Sequence, residues 1–381
     1  MNTFTKINLA DFGISPKTGF LPEKPKTVFP KKNKRWYALA ANLPKTLATG
    51  KLKENINQLP DYQQDNQIFE ETQMRMLSYI GHAFIWGDKD IPQKIPANLA
   101  RAWKMLADET GRPPILSYPS YCLYNFKLVN KRKPAFLGNI EMVQNFLGGI
   151  DEDWFILIHV DIEARAAQAI RAIPNLLENA ANNDIEGMKN GLKKVAQSLM
   201  AMNKTMNKMP EKCDPYIYYT RVRPYIFGTK NNPDLPNGLV YEGCYENEPQ
   251  LFRGETGAQS SIVPTMDGLL GVIHKNDPLK EYLMEMRTYM VPGHRQFIEK
   301  VESTSDVRQK VTQNLDKGLI KLYNKCVEEL FKFRAKHLEY AATYIHKQAL
   351  QANNSNIVGT GGTPFMEYLA KHRDETKLAL T

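Results

Sequence analysis

The sequence predicts a mainly α protein, and three observations carry that prediction. Apolar residues recur at steps of three and four along most of the chain beyond residue 35. Strand-like alternation is scarce. Proline and glycine fall at the ends of periodic stretches, where helices start and stop. At 381 residues, 42% of them apolar or aromatic, the chain is long for one domain and has ample material for a core. Two domains are expected: a smaller, mainly helical one over 1–148 and a larger, all-helical one over 149–381, with the boundary near "FLGGIDED" (146–153).

Taken in order, residues 1–35 are rich in proline and lysine and read as irregular. "WYALAANLPKTLATG" and "DNQIFEETQMRMLSYIGHAFIWG" carry helical patterns, the second with Met76, Ile80 and Phe84 four residues apart. "PANLARAWKMLADETG" is a helix with Pro96 at its start and Gly111 at its stop. "RPPILSYPSYCLYNFKLVN" (112–130) has prolines, aromatics and little helical period, so an extended or looped piece is expected. A helix then begins at the acidic residues 151–153, which suit the positive end of its dipole, and closes at Pro174. Its stripe is Phe155, His159, Ile162, Ala166, Ala169 and Ile173. Further helices are expected at 186–208, 265–274, 278–290 and 294–303, then a long one over about 314–349. Leu319, Leu322, Cys326, Leu330, Phe333, His337, Ala341 and Tyr344 form its stripe. A polar, Gly-rich loop and a short helix end the chain.

Composition narrows the function. No run approaches the ~18 apolar residues of a membrane span, and the first residues lack the apolar core of a signal peptide, so a soluble, cytoplasmic protein is expected. Cys122, Cys213, Cys244 and Cys326 are scattered without metal-ligand spacing, which suggests neither a disulfide framework nor a zinc site. The net charge of +9 gathers in "EKPKTVFPKKNKRW" (23–36). Such a run suits phosphate backbones, but with Pro25 and Pro30 inside it and no nucleic-acid motif elsewhere it reads better as a solvated loop.

Two histidines, His159 and His337, lie on core-facing stripes of separate long helices. A lone one would be an ordinary core histidine. Each buried imidazole needs a hydrogen-bond partner or a metal, and burial disfavours its charged form. A helix histidine holding iron on one side, with the other side left for a gas or substrate, is the arrangement of haem sites. Arg334, three residues before His337, shares its face and could meet a haem propionate with a bidentate fork; pairing with Glu329 or Glu339 is the alternative. "IVGTGGTP" (357–364) allows close backbone approach around Thr360, as a lid, a linker or a phosphate cradle would. "DPYIYYTRVRPYIFG" (214–228) suits an aromatic pocket for a carboxylate-bearing substrate, or plain core packing.

Taken together, "PPILSY" (113–118), "IEARAAQAI" (162–170), "GLVYEG" (238–243), "AQSSIVPTMDGLLGV" (258–272), "MRTYMVPGHRQFIEKVES" (286–303), "FRAKHLEYAATYI" (333–345) and "GTGGTPFM" (359–366) resemble the indoleamine 2,3-dioxygenase family. The resemblance extends from about residue 35 to 375. It implies a smaller N-terminal domain and a larger all-helical domain holding haem b, iron protoporphyrin IX. His337 then matches the proximal iron ligand and Arg334 the arginine at a propionate. Arg223 matches the arginine that binds the substrate carboxylate, with Arg221 two positions earlier as its rival. Thr360 matches the threonine of the mobile loop near the substrate's polar end. Tyr118 and Phe155 match aromatics around the indole, Tyr218 a phenylalanine beside it, and Thr256 and Gly257 the loop beside the haem. The implied reaction inserts both atoms of dioxygen into L-tryptophan to give N-formylkynurenine, with an electron donor keeping the iron ferrous.

This sequence departs from that pattern in places. His159, the expected catalytic residue, stands where the mammalian indoleamine enzymes have serine and the related tryptophan 2,3-dioxygenases have histidine. Glu255 stands where the animal enzymes have glycine, and "SYC" (120–122) alters the indole wall. Oxidation or rearrangement of a modified tryptophan, and a haem-binding gas sensor without turnover, are therefore carried as competing readings.

Overall fold

The long apolar stripes of this chain are buried against one another, and helices carry the architecture for that reason. The computed structural model describes residues 6–25, 32–66, 68–353 and 359–381. Residues 26–31 of the basic N-terminal run and 354–358, which hold the first part of "IVGTGGTP", lie outside the described residues. Strand structure is slight among the described residues: Lys94–Ile95 pairs in parallel with Val240–Tyr241, and Phe126–Leu128 pairs antiparallel with Ile140–Met142. No described helix is long and apolar enough to cross a membrane.

In the first part of the chain the helix Glu70–Trp86 is buried on nearly every side. The shorter helices Lys34–Ala41, Leu43–Ala48 and Leu52–Asn57 pack on it, as does Ala97–Thr110, which starts after Pro96 and stops at Gly111 in the left-handed conformation. Two buried polar residues of Glu70–Trp86, Glu71 and His82, are paired across the fold. Glu71 takes a two-pronged hydrogen bond from Arg112, both contacts 2.6 Å. His82 accepts from the Leu116 N–H at Nε2 (2.8 Å), so its proton is on Nδ1, which donates to the Tyr225 carbonyl (2.7 Å). That one imidazole fixes the backbone on either side of two site segments, 116–118 and 223–226.

In the second part, the helix Ile150–Ala181 packs along Ile185–Met206, which packs against Lys317–Ala341. The last of these also carries the terminal helix Phe365–Lys377. Four expectations are corrected. Pro174 lies inside the helix rather than closing it, because Ile173, Leu176, Leu177 and Ala180 bury the following turns and offset the lost hydrogen bond. The helix expected at 265–274 runs Ile262–Leu270: Pro264 is tolerated in a first turn whose N–H groups have no partner, and Gly271 (φ 62°) ends it. The long helix starts after the Asp316 cap and ends at Ala341, where a π-turn, Ala342–His346, inserts before Lys347–Gln351. Residues Pro119–Leu123, expected extended or looped, form a π-turn as well.

Two large buried clusters result. One gathers Trp36, Ile80, Trp103, Tyr121 and Tyr241, the other Ile170, Leu199, Phe297 and Leu330. The helix Ile150–Ala181 serves both, giving Ile156 and Val160 to the first and Ile158 and Ile162 to the second. We propose the division at 148/149 as the domain boundary, with residues 7–20 and 225–241 packing across it.

Gly81 is fixed by packing, since a Cβ there would fall 2.1 Å from the Trp103 ring. Gly81→Ala is expected to lower stability by roughly 2–3 kcal/mol, read as a shift of the denaturation midpoint at unchanged slope. An unshifted midpoint would contradict this packing.

Candidate active site

A cavity of about 660 Å³ is walled by Tyr118, His159, Thr256, Gly257, Arg334, His337 and Thr360, among others. Seven of the residues expected from the sequence thus meet around one space. The helix Ile150–Ala181 brings His159 and Lys317–Ala341 brings Arg334 and His337. The loop before Gly257–Gln259 supplies Thr256, and the segment 359–363 supplies Thr360. Phe155, Tyr218 and Arg223 are not on its wall. The Phe155 ring lies 4.7 Å from that of His159 and 4.6 Å from that of Tyr218.

His337 is enclosed by protein but opens on the cavity, and neither ring nitrogen makes a hydrogen bond among the described residues. Burial, with the neighbouring His159 and Arg334, lowers its pKa to about 4. It is therefore a neutral imidazole with a lone pair to offer at neutral pH. Gly257 keeps the adjoining space clear, as a Cβ there would lie 4.0 Å from His337 Nε2. His159 is also kept neutral by burial, against the hydrogen bond to its own helix. Its Nδ1 lies 2.7 Å from the Phe155 carbonyl, which can only accept, so Nδ1 carries the proton and Nε2 is an acceptor. Among the described residues no cluster of His, Cys, Asp and Glu is arranged to hold a metal ion. A metal at His337 would have to bring its other ligands with it, as haem iron does. The orphaned imidazole and the size of the cavity fit that group.

Arg334 pairs with neither Glu329 nor Glu339, which are taken by Lys325 and Lys332 and by Lys336. Its Nη1 and Nη2 donate to the two oxygens of Asp267 at 2.8 and 2.6 Å, and Nη1 also donates to the Thr376 hydroxyl at 2.6 Å. Burial alone would raise the Asp267 pKa, but Arg334 and His274 hold it well below the usual carboxylate range. His274 bridges onward to Glu375 at 2.6 Å. The cationic wall of the cavity is thus a neutralised pair rather than a free guanidinium.

Two further groups, Glu163 and Asp267, are not singled out by the sequence. Glu163 Oε1 accepts from the hydroxyls of Tyr118 and Ser260, both 2.9 Å, while Oε2 has no partner among the described residues. Burial outweighs those two hydrogen bonds and lifts its pKa to about 7. One signal was in the sequence: Glu163 follows His159 by four residues, an acid on an apolar helix face. Asp267, 67 residues before Arg334, offered none. Glu255 is 3% exposed, its carboxyl makes no hydrogen bond among the described residues, and desolvation lifts its pKa to about 8. Its backbone carbonyl accepts the Thr360 hydroxyl at 2.5 Å. Of the two candidate arginines, Arg221 is exposed, whereas Arg223 is buried between the rings of Tyr219 and Phe227, 5.4 and 4.4 Å away.

With this geometry in place, comparison with known proteins is specific. A family profile described as "Indoleamine 2,3-dioxygenase" matches residues 8–379. The chain is 34% identical to "Indoleamine 2,3-dioxygenase 1" of Rattus norvegicus over 98% of this chain and 95% of that protein. It is 30% identical to "Indoleamine 2,3-dioxygenase" of Saccharomyces cerevisiae, over 97% and 92%. It is also 28% identical to a protein named "Myoglobin" from Haliotis madaka, over 97% and 98%.

The buried Glu255 carboxyl gives a pH test. In the folded state Glu255 keeps its proton up to about pH 8, whereas an ordinary glutamate at 4.5 has lost it. The folded state then binds more protons between those values, and stability falls as pH rises through that window. Glu255→Gln is expected to flatten the slope and raise stability at pH 8 by roughly 1–3 kcal/mol. Parallel stability–pH curves for the two proteins would contradict the assignment.

Proposed function

Because the chain belongs to the indoleamine 2,3-dioxygenase family, we propose that it is a haem-dependent dioxygenase that converts L-tryptophan to N-formylkynurenine, the entry step of tryptophan catabolism by the kynurenine pathway. The observation that carries this reading is the neutral His337 imidazole, open to a cavity large enough for a macrocycle, with a second neutral imidazole on the same cavity wall.

In this reading His337 would hold the iron of haem b, and Arg334, whose fork is already on Asp267, would face the haem's carboxylates. Haem iron, kept ferrous by an electron donor, would supply dioxygen binding and insertion of both atoms across the indole 2,3 bond. The chain itself supplies position and a dry environment. His159 Nε2, fixed as an acceptor by the Phe155 carbonyl, is suited to take the indole N–H. Tyr118, Phe155 and Tyr218 form the aromatic surround, and Tyr118 is held by Glu163. Arg223, buried among aromatic rings, is suited to the substrate carboxylate because a charge pair formed away from water is strong and directional. Thr360 and the loop 359–363 cover the polar end.

A second reading rests on a specific observation: a relative of almost equal length is named "Myoglobin". The chain would then bind haem and dioxygen without turnover. A third, in which a modified tryptophan is the substrate, rests on the sequence departures at His159 and Glu255.

Turnover of reduced, haem-loaded protein with L-tryptophan under labelled dioxygen separates these readings. Two labelled oxygens in the product are expected; one would indicate a monooxygenase acting on this scaffold, and none would favour the carrier or another substrate. Arg223→Ala is expected to keep haem and raise the Michaelis constant for L-tryptophan by about ten- to hundredfold, the cost of a buried carboxylate left without its cation. An unchanged constant would move that role elsewhere.

A further inference from the structure

The loop 359–363 is held over the cavity by the chain itself. It is a tight turn, with the Gly359 N–H donating to the Thr363 carbonyl (2.9 Å) and the Gly362 N–H to that of Gly359 (2.8 Å). It rests on residues 228–231, residues 253–255 and the helix Pro278–Arg287. The Gly228 N–H donates to the Thr360 carbonyl at 3.2 Å, and Asn231 Nδ2 to that of Gly362 at 3.0 Å. The glycines are needed for this fit. A Cβ at Gly361 would lie 2.7 Å from the Tyr282 hydroxyl, and one at Gly362, whose φ is +72°, 2.6 Å from the Lys230 carbonyl.

Arg253 sits at the centre of the platform. Its Nη1 donates to the carbonyl of Gly361 at 2.7 Å and reaches that of Gly362 at 3.4 Å. On its other edge Nε and Nη2 donate to Glu285 Oε2 at 3.1 and 2.9 Å. Lys230 takes the second oxygen of Glu285 at 2.7 Å, and the Tyr282 ring lies under the guanidinium at 5.3 Å. The Arg253 side chain is only 9% exposed, so these charge-assisted bonds are little screened by water. The planar fork matters: Glu285 fixes one edge and thereby aims the other at the loop, which a lysine ammonium cannot do.

We propose that Arg253 is a positioning residue, a latch that holds the 359–363 loop, and with it the Thr360 hydroxyl, over the substrate end of the cavity. The Arg253–Glu285 pair thereby sets how tightly the substrate is retained. The substrate part of this inference rests on the functional reading above; the latch itself does not.

Hydrogen exchange on the haem-loaded protein, with steady-state kinetics on L-tryptophan, tests both parts. Arg253→Ala is expected to speed exchange at Gly228 and across 359–363 about tenfold or more, with haem content unchanged. Arg253→Lys should show a smaller increase. Glu285→Gln, which leaves the arginine but weakens its anchor, should fall between wild type and Arg253→Ala and guards against a misfolded alanine variant. The Michaelis constant should rise in the same order, with the turnover number changing less. Unchanged exchange at these residues overturns the latch, whether or not the wild type turns over tryptophan. Faster exchange with an unchanged Michaelis constant overturns the positioning role. A wild type without turnover sinks the functional reading, while the exchange measurement still decides the latch.

Discussion

The site depends on an imidazole buried in its neutral form with nothing of its own to bind. His337 lacks a hydrogen bond among the described residues and is held neutral at pH 7 chiefly by burial, with Arg334 and His159 beside it. Because its ring opens on the cavity, a ligand there can take the lone pair without displacing a protein partner. Its neighbours leave it so: His159 is likewise neutral, and Arg334 is fixed to Asp267.

The scaffold explains how such a group is kept in place. Two long helices that never touch in sequence bring His159 and His337 to one cavity, and Ile185–Met206 packs against both. His82, in the first part of the chain, ties down the backbone at Leu116 and Tyr225, so that Tyr118 and Arg223 are aimed from fixed points. On the opposite side a chain of charges, Arg334 to Asp267 to His274 to Glu375, links the cavity wall to the terminal helix. The loop 359–363 closes the remaining face through Arg253 and Glu285. Apolar packing provides the frame, and buried ion pairs, which are demanding of geometry, provide the aim.

Much of this was legible in the sequence, and the reasons differ from element to element. The stripes of the helices Glu70–Trp86 and Lys317–Ala341 could be read because burial imposes the 3.6-residue period directly on residue choice. Pro174 misled because the local penalty of a helix-interior proline is outweighed by apolar burial on either side of it. The π-turn at Pro119–Leu123 lies among prolines and aromatics that show little helical period, and that at Ala342–His346 is too short to break the stripe around it, so neither could be read. In the site, His159 and His337 stood out as imidazoles on core stripes, whereas the roles of Thr256, Gly257 and Thr360 came from family resemblance. Asp267 as the partner of Arg334 could not be read at all, because a contact across 67 residues leaves no local trace. The same holds for Arg253, whose fork makes sense only when Glu285 and the loop are seen together.

His337 is proposed to ligate the haem iron. The most direct measurement is a haem titration of the wild-type protein beside His337→Gly, with and without added imidazole, followed through the spectrum of the ferrous form. The account predicts tight binding with a histidine-ligated spectrum in the wild type, weakened binding in the variant, and recovery of both affinity and spectrum when free imidazole fills the vacated space. Full binding and an unaltered histidine-ligated spectrum in the variant without imidazole would contradict it, and would place the axial ligand on another residue.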